Sequence, residues 1–132
     1  MSNRFLMDNK CFACGSENPA GLHLDIRESI DGVYAKIKMS ALFQGYQDII
    51  HGGIVSTILD EMAVWASFKK GHKAATAELN VRIKKPMRAD TEYTATGRVV
   101  NIKHKLVMAQ AEIKDSNAEI IACADVKLIK IE

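Results

Sequence analysis

The sequence predicts an α+β fold, a mostly antiparallel sheet wrapped around one long helix, with elements in the order β-β-α-β-β-β-β. Three observations predict it. Apolar and polar residues alternate with period two over most of the chain. That alternation breaks once, between His51 and about Lys70, where apolar residues crowd together. Turn residues then separate the alternating runs.

Residues 1–20 hold Cys11, Cys14, Gly15, Asn18 and Pro19 and read as an irregular lead-in to a single domain covering 1–132. Leu22, Leu24 and Ile26 then alternate with His23, Asp25 and Arg27. After Asp31-Gly32, a strong hairpin signal, Val33, Ala35, Ile37 and Met39 alternate with Tyr34, Lys36 and Lys38. From His51 to about Lys70 there is no Pro and no Gly beyond Gly53, so the segment is long enough and uninterrupted enough for a helix. Its apolar residues run nearly all round, which predicts burial on every side. Lys69, Lys70 and Gly71 supply positive charge on the last turn and then a stop. Alternation returns in Ala77, Leu79, Val81 and Ile83, a strand ended by Pro86. It continues in Tyr93–Val99 and Val107–Ile113 and, after the Ser116-Asn117 turn, in Ile120–Leu128.

With 132 residues, 48% of them hydrophobic and 26% charged, the chain can bury a core without disulfides. A net charge of +2 gives no electrostatic case for a nucleic-acid binder, but suits a small anionic ligand. The first ten residues lack a signal-peptide pattern, no run is long enough to span a membrane, and three cysteines suit a reducing compartment. The expectation is cytoplasmic, with neither membrane nor nucleic acid as partner.

The helix carries unusual cargo: His51-Gly52-Gly53 at its start and Asp60 and Glu61 within it. Acids are seldom buried without a partner or a task. A helix start offers unpaired N–H groups and a positive pole, and glycines there let a ligand oxygen come close. Such donors stabilise the oxyanion formed when a thioester carbonyl is attacked. A carboxylate facing that carbonyl can activate water or attack directly. Gly52 and Asp60, however, are about 12 Å apart along one helix. A shared substrate therefore predicts a dimer with antiparallel helices, Gly52 of one subunit facing Asp60 of the other.

The segment Gln44-Gly45-Tyr46-Gln47-Asp48-Ile49-Ile50-His51-Gly52-Gly53, running on to Asp60-Glu61, resembles the signature of hotdog-fold thioesterases of the phenylacetate-degradation type. The lead-in Cys11-Phe12-Ala13-Cys14-Gly15 through Asn18-Pro19-Ala20-Gly21-Leu22 resembles a leader common in that group. The resemblance implies hydrolysis of an aryl- or short- to medium-chain acyl-CoA without a cofactor, in a homodimer that often pairs into a homotetramer. It implies that the Gly52 N–H polarises the carbonyl and that Asp60 is the catalytic carboxylate. Gln44, or else Gln47, would hold carbonyl or water, and Thr76 would position water.

Plainer readings stand beside these. His51 is expected mainly to order the turn into the helix, although a catalytic role is open. Gly53 and Glu61 are candidates for substrate contact, with a structural role the alternative for Glu61. Lys84, Arg88, Lys103 and Lys105 are candidates for the phosphates of coenzyme A. Thr76 has the same strand parity as Glu78, Asn80 and Arg82, so it is also readable as solvent-facing. Cys11-x-x-Cys14 supplies two of the four ligands of a structural zinc site, with His23 or Cys123 possible additions, and no metal is expected. Two other functions fit the same fold: an acyl-thioester hydratase or dehydratase, and a non-catalytic acyl-CoA-binding regulator.

Overall fold

A computed structural model describes residues 6–131, so the first five residues of the lead-in lie outside the described ones. The helix α1 spans Gly52–Lys69 and the strands are β1 (Arg27–Glu28), β2 (Val33–Lys38), β3 (Ala74–Ile83), β4 (Glu92–Lys103), β5 (Leu106–Lys114) and β6 (Ile120–Lys130). All six strands join one antiparallel sheet in the order β1-β2-β4-β5-β6-β3. The element order is the one the alternation predicts, and α1 lies across one face of the sheet.

The first strand is shorter than expected. Leu22 and Leu24 are buried and their neighbours His23 and Asp25 exposed, so the side chains do alternate. Their backbone amides, though, donate to Phe12 and Ala13 of the lead-in at 2.8 and 2.9 Å, and only Arg27–Glu28 pairs with β2. From Cys11 to Leu22 the chain is thus irregular, yet it sets Ala13 and Leu22 in the core.

The helix is not buried all round within one chain. Val55, Ile58, Leu59, Met62, Ala63, Ala66 and Ser67, spaced three or four apart, form the face against the sheet. Ile54, Val64 and Trp65 are half-buried and Phe68 is exposed on the other faces. Contact with the sheet is closest at Gly97 of β4, where a Cβ atom would lie 2.4 Å from the Met62 carbonyl oxygen. Only glycine lets helix and strand approach so closely. At the helix end the Lys70 and Gly71 amides fold back on carbonyls of the last turn, and Gly71 takes φ +88°, as a left-handed stop requires.

In β4 and β5 the predicted faces hold: Tyr93, Ala95, Gly97, Val107, Ala109, Ala111 and Ile113 are buried. In β6 the ladder slips between Ile113 and Lys114, and Ile121 as well as Ala122 is buried. The strand β3 differs most. It lies at the sheet edge, and Leu79 and Ile83, although they face the same side as buried residues of β6, remain 37% and 45% exposed.

Candidate active site

The start of α1 is built by its cap. His51 has extended backbone angles and its Nδ1 accepts from the Gly53 N–H at 2.8 Å, while its carbonyl accepts from Ile54 and Val55. This is the turn-ordering role expected of His51, and it commits the Gly53 amide to the cap. The Gly52 N–H has no acceptor among the described residues. Gly52 is exposed and sits at the positive end of an 18-residue helix. Beside it opens a cavity of about 500 Å³ lined mostly by apolar groups, including Tyr46, Ile50, Val55, Ile83 and Met87. That volume suits a small organic ligand or an acyl group.

Asp60 lies two turns further on, half-buried, and Thr76 of β3 donates its hydroxyl to Asp60 Oδ1 at 2.5 Å. Thr76 is exposed, as its strand parity allowed, but a β-bulge breaks that parity and changes its partner across the ladder. Glu78 pairs with Lys127, so a regular ladder would set Thr76 against Ile129, pointing outward. The extra residue Ala77 sets Thr76 against Leu128, which is buried under the helix. Burial raises the Asp60 pKa above the ordinary carboxylate value and the Glu61 charge adds to this, while the Thr76 bond opposes it. Among the described residues Asp60 has no cationic partner. A carboxylate placed this way is more basic than usual and is tied to a hydroxyl that can also hold water.

The other candidates are distributed as follows. The side-chain oxygen of Gln44 accepts from the Asp48 amide at 3.0 Å, holding the loop that leads into the helix, and Gln47 is exposed on that loop. Glu61 turns away from Thr76: its Oε2 accepts from Trp65 Nε1 at 3.0 Å and from Cys11 Sγ at 3.6 Å. Burial, then contacts with Glu61 and Cys11, push the Cys14 thiol pKa well up. Lys84 follows directly on Ile83, whose side chain abuts Gly52, and Arg88 is joined by a backbone bridge to Ile49. Lys103 and Lys105 flank the β4–β5 turn, at the end of the sheet that carries Ala75 and Thr76. Thr76 and Ile83 are roughly 20 Å apart along β3. One chain therefore gathers Lys84, Arg88 and Gly52 at one end, and Asp60, Thr76, Lys103 and Lys105 toward the other.

The same architecture recurs in solved structures. A crystallised thioesterase superfamily protein superposes with a TM-score of 0.87 at 19% identity, over 92% of this chain and 61% of its own. This chain thus spans less than two thirds of that protein's length. The Escherichia coli PaaI protein of the phenylacetic acid degradation operon gives 0.76 at 20% identity, covering 83% and 84%. A Streptococcus mutans protein solved with acetyl CoA gives 0.75 at 18% identity, covering 81% and 87%. These likenesses establish the hotdog fold. Among curated proteins none matches the sequence. No helix among the described residues is long and apolar enough to cross a membrane. The family model described as thioesterase superfamily matches residues 47–122, from just before the helix cap to β6, and on that match this chain belongs to the thioesterase superfamily.

Proposed function

We propose that the protein is an acyl-CoA thioesterase of the PaaI-like type, hydrolysing an aryl- or short- to medium-chain acyl-CoA to the free acid and coenzyme A. The observation that carries this reading is the pairing, on one helix, of a Gly52 N–H without an acceptor among the described residues, beside an apolar cavity, with a half-buried Asp60 held by Thr76. The thioester carbonyl oxygen rests on the Gly52 N–H, where the helix end favours developing negative charge. Asp60 either draws a proton from water as the water adds to the carbonyl carbon, or adds to that carbon itself. In the first case the C–S bond of the adduct breaks and the proton passes from Asp60 to the departing coenzyme A sulfur. In the second the C–S bond breaks to leave an acyl–Asp60 anhydride and coenzyme A thiolate. Water then cleaves the anhydride to the free acid, restoring the Asp60 carboxylate and supplying the proton the thiolate takes up.

The two groups belong to different copies of the chain. About 12 Å of helix separates them, too far for one substrate carbonyl. The edge strand β3 supports a homodimer: it is ten residues long, has no strand on its outer side among the described residues, and leaves Leu79 and Ile83 part-exposed. An antiparallel pair about this edge brings Lys84 and Arg88 of one copy toward Lys103 and Lys105 of the other, a basic rim for the phosphates of coenzyme A. Pairing of dimers would give a homotetramer.

The test is thiol release from aryl-, short- and medium-chain acyl-CoAs by wild type and Asp60→Asn. Hydrolysis by wild type, lost in Asp60→Asn with ligand affinity kept, supports the reading. Binding across the panel without hydrolysis, or hydration of crotonyl-CoA in its place, overturns it.

A further inference from the structure

The lead-in brings two thiols onto the outer face of α1. Among the described residues, Cys11 Sγ, Cys14 Sγ and a Glu61 carboxylate oxygen all lie within 4.8 Å of one another, and all three residues are partly buried. The Cys-x-x-Cys pair alone offers too few ligands for a metal. The fold adds a third from the helix, and it is neither His23 nor Cys123. The His23 ring nitrogen instead meets the Asn18 carbonyl oxygen at 2.5 Å.

The local geometry is that of a ligand loop. The Gly15 amide closes the turn on the Cys11 carbonyl at 2.9 Å, and the Cys14 amide points at Cys11 Sγ from 3.4 Å. Gly15 is required there: a Cβ atom would lie 2.4 Å from the Cys11 nitrogen and 2.5 Å from the Asn9 carbonyl oxygen. On the helix side, Trp65 Nε1 holds Glu61 Oε2 at 3.0 Å, the kind of outer contact that fixes a ligating carboxylate. Among the described residues Glu61 has no cationic partner. A tetrahedral zinc ion, with Zn–S of about 2.3 Å and Zn–O of about 2.1 Å, sets sulfur and oxygen about 3.6 Å apart. Cys11 Sγ and Glu61 Oε2 are 3.6 Å apart.

We propose that Cys11, Cys14 and Glu61 form a site for a thiophilic divalent cation of the zinc type, stapling the lead-in to α1. Three protein ligands leave the fourth tetrahedral position to water or a small ligand. Thiolates select zinc or cobalt over magnesium or calcium. The site stands independently of the thioesterase reading, because neither its geometry nor its test involves hydrolysis.

The experiment is titration of reduced, chelator-treated full-length protein with Co²⁺, followed by displacement with Zn²⁺. The expected result is one equivalent bound per chain, with a thiolate-to-cobalt charge-transfer band that zinc abolishes. The emission of Trp65, the sole tryptophan, should change in step, because its indole hydrogen bond runs to the ligating carboxylate. Cys11→Ser and Cys14→Ser should each remove the band, and Glu61→Gln should weaken cobalt binding about tenfold or more. Variant folding is checked by far-ultraviolet circular dichroism. No band with wild type, a band retained in Cys11→Ser with Cys14→Ser, or unchanged affinity in Glu61→Gln overturns the proposal.

Discussion

Thr76 donates its hydroxyl to Asp60 across 2.5 Å, from an edge strand to the middle of the helix. Of the influences on Asp60, this bond alone pulls its pKa down, against burial and the Glu61 charge. Replacing Thr76 by Val removes that pull, so the Asp60 pKa rises further above the ordinary carboxylate value. The acidic limb of the kcat/KM profile should then move to higher pH, while Thr76→Ser keeps it in place. A pH–rate series on the two variants checks this, and an unmoved limb in Thr76→Val would separate the hydroxyl from the chemistry.

Asp60 should also cost the protein stability at neutral pH. A folded-state pKa raised above the unfolded value means that the folded chain holds the proton more tightly. Stability conferred by Asp60 is therefore present below its unfolded pKa and lost as pH rises through the folded pKa. Asp60→Asn should melt higher than wild type at neutral pH, and the gap should close as pH falls below the usual carboxylate range. Its kcat should fall by about 10²–10⁴. Melting curves at several pH values and steady-state kinetics measure the two effects.

Gly52 is the first residue of the helix, a position where proline is tolerated because its N–H has no intrahelical partner. Gly52→Pro should delete the proposed oxyanion donor with little change in melting temperature; a Cβ there would meet only Ile83 Cδ1, at 3.5 Å. A loss of about 10²–10³ in kcat is expected. Mixed dimers of Gly52→Pro with Asp60→Asn would hold one doubly damaged and one intact site if sites are shared between copies, so activity should return on mixing. No recovery in verified heterodimers would place both groups in one chain.

His51 caps the helix through Nδ1. His51→Ala should lower stability by about 1 kcal/mol, whereas His51→Asn supplies another capping oxygen and should retain most stability and activity. Denaturant unfolding alongside kinetics tests this, and a collapse of kcat in a fully stable His51→Asn would mark the ring as catalytic.

Gly97→Ala would drive a methyl group into the Met62 carbonyl. With backbone on both sides there is no flexible side chain to yield, and a loss of about 1–3 kcal/mol is expected. Thermal unfolding reads it directly.

Much of this molecule was legible in its sequence. Alternation located β2, β4, β5 and β6, and the unbroken run from His51 to Lys70 matched the helix together with its two caps. Local rules sufficed there because spacing and capping act over a few residues. What depends on a distant partner was not legible. The short β1 follows from Phe12 and Ala13 taking the amides of Leu22 and Leu24. The grouping of Glu61 with Cys11 and Cys14 follows from the lead-in crossing α1, fifty residues away in sequence. Parity gave Thr76 the face of Glu78, whereas the bulge at Ala77 sets it against Leu128 while leaving it exposed; that bulge carries no strong local mark and shows only in the pairing with β6.

That bulge has a consequence for descent as well as for shape. In a ladder with period two, one added residue turns everything upstream of it to the opposite face. Thr76 meets Asp60 because β3 contains one residue more than β6 needs across from it. Within such a family, a single-residue insertion or deletion in this strand is a mutational step that brings a hydroxyl to the carboxylate or takes it away. Alignments of relatives that close the gap at Ala77 will pair Thr76 with the wrong neighbour.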